Sequence, residues 1–154
     1  MIRTFRILLA ALLFAVPLAS ASAAPTNGQY SSDELIREGH KFFGGLTEGL
    51  ASVVERAVSQ YGLPNGYILG QEGSGAIIGG LRYGEGTMNT KNAGRLDVFW
   101  QGPTIGADIG GNGDRVMMLV YNLPDTSAIY QRYLGVAGSA YVVAGLGFNV
   151  LKNN

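Results

Sequence analysis

The sequence predicts an α+β fold that is mainly β: a small bent sheet or β-barrel of short glycine-rich strands, with two N-terminal helices and one helix before the last strand. Two observations predict it. Glycine accounts for 24 of the 154 residues, about twice its ordinary usage, and most of these glycines follow Gly62. Before Gly62, apolar residues recur at helical spacing, whereas after it they form short runs between glycines. The chain therefore divides into a helical front and a β remainder.

The first 23 residues have the pattern of a secretory signal peptide. Two arginines precede the apolar run 7–18, and small residues with A-x-A spacing follow as far as Ala23. The apolar run is too short to span about 30 Å of hydrocarbon comfortably, and a proline interrupts it, so a cleaved leader is favoured over a membrane anchor. We expect residues 24–30 to form a linker and residues 31–154 a single domain.

Two amphipathic helices are predicted after the linker. Residues 31–34 match a capping box, which satisfies the free backbone donors at a helix start. The first helix ends at the glycine pair 44–45. The second begins near Thr47 and carries an unbroken apolar stripe until Gly62. We expect this helix to lie on a sheet or to close the end of a barrel.

Seven short strands are predicted in the β remainder, at 67–69, 75–83, 86–91, 96–100, 105–109, 115–121 and 140–151. The stretch 98–122 is predicted to form a central hairpin or meander, because two apolar segments flank a glycine-rich turn. A helix opened by 124–127 is expected to end at Gly135. The last strand is long and apolar with no sequence left to pair its far side, so we expect a C-terminal truncation.

Charge and cysteine content exclude several classes of function. Eleven basic and eleven acidic residues balance, and no basic stripe is present, so nucleic acid is not an expected partner. The absence of cysteine excludes disulfides, thiol catalysis and thiolate zinc sites.

The motifs that suggest chemistry each have a simpler structural interpretation. The glycines at 73–75 lack the Gly-Lys-Ser/Thr of a phosphate loop and are read as turn residues. The acidic loop 108–114 lacks the spacing of a calcium loop and contains a favoured hairpin dipeptide. His40, the only histidine, is not accompanied by a G-x-S-x-G elbow. We therefore predict no catalytic residue, cofactor or metal ligand.

Most of the mature chain resembles the EipA family of alphaproteobacterial envelope integrity proteins, which is also classified as a domain of unknown function. The resemblance is carried by 39–57, 64–86, 90–94, 98–124 and 130–151, with FWQGP and MMLVYNLP as its most specific motifs. It implies a soluble periplasmic protein with a small β-barrel fold that is needed for resistance to envelope stress. It implies no catalytic residues, and it implies further strand sequence beyond residue 154.

A more distant likeness to the SYLF lipid-binding domain rests on the order of glycine-rich strands and on the segment 102–106. That likeness implies a lipid or membrane-surface partner. We therefore expect a non-enzymatic periplasmic protein that supports the envelope by binding a lipid-like, glycan or other envelope component. The residues expected to line a barrel mouth or a groove beside the helices are aromatic: Phe42, Phe43, Tyr83, Trp100 and Tyr133.

Two alternatives remain open from the sequence. The first is a hydrolase of envelope polymers, which would need two carboxyl groups about 5 to 10 Å apart in a concave pocket. Its candidate acids are Glu72, Glu85, Asp108 and Asp114. The second is a structural module that binds another envelope protein by strand addition at an open sheet edge.

Overall fold

The structure is a computed structural model, and it describes residues 25–45, 47–75, 81–103, 113–136, 141–143 and 146–153. The expected signal peptide and the predicted strand 105–109 lie outside these residues. The elements in chain order are α1 (Ser32–Phe43), α2 (Leu50–Tyr61), β1 (Gly66–Gly75), β2 (Leu81–Thr90), β3 (Gly94–Pro103), β4 (Asp114–Val120), a 3-10 helix (Thr126–Ile129), β5 (Leu134–Gly135), β6 (Tyr141–Val143), β7 (Leu146–Phe148) and β8 (Leu151–Lys152).

Both N-terminal helices are present, and local sequence signals set their ends. The Ser31 Oγ accepts from the Glu34 backbone N–H at 3.2 Å, and the Glu34 carboxylate accepts from the Ser31 N–H at 2.7 Å, which completes the predicted capping box. Gly44 ends α1 in the left-handed conformation, with φ of 85°. Helix α2 starts after Gly49, which also has a positive φ, and no side chain caps its first turn.

The main sheet has four antiparallel strands in the order β3-β2-β1-β4. The predicted central hairpin of 98–122 is therefore wrong, because β3 and β4 lie at opposite edges of this sheet. The predicted strand 75–83 is also wrong as a single strand: Gly75 ends β1 and pairs with Leu81, the first residue of β2. Apolar patterning detects strands, but long-range backbone pairing decides which of them are neighbours.

The sheet has a front face, which packs against the helices, and a back face. On the front face, Tyr67 is buried against Leu35, Leu50 and Val54 of the two helices. On the back face, Ile68, Met88 and Val98 come from three adjacent strands and form a second buried cluster. The 3-10 helix covers part of this back cluster through Ile129. Alternate residues of each strand therefore serve two separate apolar clusters.

The C-terminal part differs from the sequence prediction in two ways. The helix expected from 124 to Gly135 is a 3-10 helix of four residues, and β5 follows it. The apolar run 140–151 is divided among β6, β7 and β8, where β6 pairs with β7 and β8 pairs with β5. Only two residues, one of them a glycine, separate β6 from β7, a length that suits a hairpin connection. The predicted long strand with a free edge is thus not found in the described part of the chain.

The predicted fold class is confirmed: two helices precede a mainly antiparallel β structure. The described residues do not close the four-stranded sheet into a barrel.

Candidate functional site

Three glycines form a flat floor on the back face of the sheet. Gly70 of β1 pairs with Gly86 of β2, and Gly84 lies two residues before Gly86 on the same face. The Trp100 side chain of β3 lies across this floor: a Cβ on Gly84 would overlap its indole, and one on Gly70 would lie 2.6 Å from its Cη2 atom. A side chain at Gly84 would displace the indole, whereas one at Gly86 would meet the backbone of β1 instead.

A half-buried polar cluster holds the indole in place. The Trp100 Nε1–H donates to Oε1 of Glu72 at 2.7 Å, and the Arg82 Nη1 donates to Oε2 of the same carboxylate at 3.4 Å. The Glu72 and Arg82 side chains are only 16% and 25% exposed, so this ion pair is shielded more than an ordinary surface pair. Glu72 therefore positions Trp100 through a charge-assisted hydrogen bond.

Of the acids proposed for catalysis that the structure describes, only Glu72 and Asp114 lie opposite each other on one face of the sheet. Gln71, not Glu72, pairs with Glu85, so the Glu72 and Glu85 side chains point to opposite faces of the sheet. Asp114 pairs with Glu72 on the back face, but both oxygens of the Glu72 carboxylate already accept hydrogen bonds. Asp108 lies outside the described residues. Within the described ranges, no group of three His, Cys, Asp or Glu residues could hold a metal ion.

An open cleft of about 230 Å³ lies between the back face and the 3-10 helix. Its floor is apolar and formed by Met88, Leu96 and Val98; Met88 and Val98 are almost completely buried, so the half-buried Leu96 offers most of the apolar surface that a ligand would contact. Its rim is polar and is formed by Thr126, Ser127 and Tyr130 together with the backbone of Asp97. We call this the back-face cleft. An apolar floor with a few polar groups at the mouth is typical of sites for small amphipathic ligands.

The rim of the cleft is positioned by hydrogen bonds at the start of the 3-10 helix. The Asp125 Oδ1 accepts from the backbone N–H of Ser127 at 2.9 Å and of Ala128 at 3.2 Å. The Ser127 hydroxyl donates to the same oxygen. This bond most of all, and then the two backbone bonds, lower the pKa of Asp125. At the end of the 3-10 helix, the exposed Tyr130 hydroxyl donates to the backbone carbonyl of Asp97 in β3 at 3.3 Å. The 3-10 helix is thereby tied to β3 across the cleft.

The structure distributes the five predicted ligand residues over both faces of the sheet. Phe42 and Phe43 contact each other at the end of α1, with ring centroids 5.2 Å apart, and Phe43 packs into the front cluster. Tyr83 is on the front face of β2 and is 47% exposed. Trp100 packs into the back cluster, and the Tyr133 hydroxyl donates to the Ala128 carbonyl of the 3-10 helix at 3.5 Å. These residues do not share one pocket.

Of that set, Trp100 and Tyr133 belong to the same side of the molecule as the cleft. Burial raises the pKa of the Tyr133 hydroxyl, which stays protonated and can donate at neutral pH. The residues that line the cleft were missed by sequence analysis. The available signal was the alternation of Leu96, Val98 and Trp100 in a predicted strand, which assigns all three side chains to one face.

Taken together, the described elements define a small α+β domain in which two helices cover one face of an antiparallel sheet. The family model for envelope integrity protein A matches residues 28–154. The chain belongs to this EipA family, as the resemblance in its sequence predicted.

A solved structure supports the same assignment. A β-barrel-like, uncharacterized protein from Brucella abortus is 63% identical, with a TM-score of 0.77, over 82% of this chain and 79% of that chain. Among curated proteins, no match was found. In the parts of the chain that the structure describes, no helix is both long and apolar enough to cross a membrane.

Proposed function

We propose that this protein is exported to the periplasm and supports the integrity of the cell envelope by binding a lipid-like envelope component in the back-face cleft, without catalysing a reaction. Membership of the EipA family supports the envelope role. The leader pattern of the first 23 residues supports export. The observation that carries the ligand proposal is the apolar floor of Met88, Leu96 and Val98 beneath a polar rim.

The size of the cleft limits what can enter it. Its volume of about 230 Å³ is below the roughly 300–1,000 Å³ of pockets that enclose a drug-sized ligand. We therefore expect the end of an acyl chain to enter while the head group stays at the rim. At about 0.8 kcal/mol per buried methylene, five methylenes contribute about 4 kcal/mol, which corresponds to roughly millimolar binding. Tighter binding requires head-group contacts with rim residues such as Thr126 and Tyr130.

The hydrolase alternative has less support, because the Glu72 carboxylate is occupied by Trp100 and Arg82 and Glu85 faces the other side of the sheet. The strand-addition alternative predicts a protein partner in place of a lipid. The experiment below separates it from the proposal.

The proposal is tested first by native mass spectrometry of the exported protein, purified from its own periplasm without detergent. We expect head-group contacts at the rim to make binding tight enough for a lipid-like molecule to co-purify. Dodecanoic acid is then titrated while the fluorescence of Trp100, the only tryptophan, is recorded. Thr126→Phe fills the cleft from its rim and is expected to weaken binding of dodecanoic acid.

Thr87→Phe is the matched control, since Thr87 pairs with Asp97 on the front face of the sheet and does not line the cleft. It is expected to bind like the parent protein, and thermal unfolding of both variants establishes that they are folded. An empty protein that also fails to bind dodecanoic acid would refute the proposal and favour a protein partner. Equal weakening by both variants would place the lipid outside the cleft.

A further inference from the structure

A second concave site lies where four separate segments of the chain meet. It is an open pocket of about 260 Å³, formed by the turn that precedes α1, the loop between α2 and β1, the turn between β2 and β3, and the residues after β4. Its lining includes no charged side chain. Five of its side chains are amides: Asn27, Gln29, Asn65, Asn92 and Asn122. We call this the amide pocket.

Two of the amides hold the walls of the pocket together. The Asn65 Nδ2 donates to the Leu123 carbonyl at 2.8 Å, and the Leu123 N–H donates to the Asn65 Oδ1 at 3.2 Å. The Gln29 Nε2 donates to the Leu63 carbonyl at 3.3 Å, while its Oε1 accepts from the Thr26 N–H at 3.1 Å. The bonds to Leu123 and Leu63 connect segments that are far apart in sequence, so the pocket is formed before any ligand binds.

The other three amides that line the pocket are Asn27, Asn92 and Asn122, and their side chains are exposed. Among the described residues, none of these three side chains makes a hydrogen bond. Each carries two N–H donors and one carbonyl acceptor. Together they offer both kinds of partner without a net charge.

Two backbone features bring these amides into the pocket. Gly28 has φ of 91° and is buried, and a Cβ there would lie 2.8 Å from the Asn92 Nδ2. Only glycine allows the Asn92 amide to approach this closely. Asn122 has φ of 54° and is the one non-glycine residue with a positive φ in the described ranges. Asparagine is among the few residues that adopt this conformation at modest cost.

From this lining we infer that the amide pocket binds a neutral, multiply hydroxylated ligand, namely a saccharide unit. Hydroxyl groups donate and accept, so they match side chains that do both. Charged side chains would strengthen the binding of a phosphate or a metal ion, and the lining includes none. No aromatic side chain lines the pocket for a sugar ring to stack on, so we expect binding near the millimolar range. This inference does not depend on the back-face cleft, and either can fail without the other.

The test is a two-dimensional NMR titration of the whole exported protein with N-acetylglucosamine, mannose and, for comparison, inorganic phosphate. At least one sugar is expected to shift the backbone resonances of Gly28 and Asn92, and phosphate is not. Asn92→Ala and Asn122→Gly each remove one amide, and each is expected to weaken the sugar about fivefold, the effect of one lost hydrogen bond. Glycine also accepts the positive φ of residue 122, so the second variant is expected to fold.

Two controls complete the experiment. Gln60→Ala removes an exposed amide of α2 that does not line the pocket, and it is expected to leave sugar binding unchanged. Thr126→Phe, which blocks the cleft, is also expected to leave it unchanged. The inference is overturned if neither sugar shifts these resonances, if phosphate shifts them instead, or if both asparagine variants bind sugar as well as the parent protein does.

Discussion

Replacing Gly84 by alanine should displace Trp100 from the glycine floor. The added methyl would overlap the indole ring, and overpacking of this kind costs about 1–3 kcal/mol. Moving the ring also breaks the 2.7 Å hydrogen bond from Trp100 to Glu72, and a bond to a charged group contributes about 1.5–3 kcal/mol. We therefore expect Gly84→Ala to lower the free energy of unfolding by about 3 to 5 kcal/mol, a large part of the roughly 5–15 kcal/mol of a typical domain.

The assay is urea unfolding followed by the fluorescence of the only tryptophan, with circular dichroism as a second probe. Gly73→Ala in β1 is the matched control, because nothing lies within 4 Å of a Cβ at Gly73. The control should be neutral or slightly stabilising, since alanine in a strand loses less backbone entropy than glycine.

A double-mutant cycle identifies the cause of the effect. In a Trp100→Leu background, which has no tryptophan and is followed by circular dichroism, most of the cost of Gly84→Ala should disappear, because the ring that it displaces is absent. The reasoning is refuted if Gly84→Ala unfolds like the parent protein, or if its cost is the same with and without Trp100.

Four further predictions concern Tyr121 and the first turn of α1. The Tyr121 hydroxyl is buried and has no hydrogen-bond partner among the described residues, so Tyr121→Phe should raise the free energy of unfolding by about 1 kcal/mol. If urea unfolding instead shows a lower free energy of unfolding for this variant, the hydroxyl does make a hydrogen bond. Burial also raises the pKa of Tyr121 from 10.0 to about 12. Stability should therefore fall as pH rises between these values, because the unfolded chain loses the Tyr121 proton first. An equal fall in stability of Tyr121→Phe would show that Tyr121 is not the cause. Ser31→Ala removes the cap of α1 and should cost about 1 kcal/mol in thermal or urea unfolding. The hydrogen bond from the Ser31 N–H, and after it the contact with Lys91, lower the pKa of Glu34 from 4.5. The Glu34 carboxylate therefore stabilises the fold above pH 4.5, and this stabilisation is lost as pH falls through the lowered pKa. Glu34→Gln should reduce the loss of stability at acid pH, and an unchanged acid loss would refute this.

The sequence predicted a strand of the candidate site but not the contacts between its distant residues. Leu96 and Trp100 were placed in one strand from the sequence, and the structure confirms that strand within β3. The link from Trp100 to Glu72 joins residues 28 positions apart, and it depends on the pairing of Glu72 with Gly84 and of Gly84 with Trp100. A shift of one residue in either pairing would turn these side chains to different faces. The cleft likewise requires the 3-10 helix to return over the back face, which no local pattern indicates.

The sequence by itself determined the two helices, the fold class and the EipA membership. A capping box and glycine stops act over a few residues, so they specify helix ends wherever the helix is placed. Glycine also marked the β remainder, although its role at Gly84 is to accept Trp100 across the sheet. Only the tertiary structure decided the strand order, the separation of Glu72 from Glu85, the division of the last apolar run and the positions of the back-face cleft and the amide pocket. Each of these depends on contacts between distant segments, and such contacts are set by backbone pairing and packing of the whole chain.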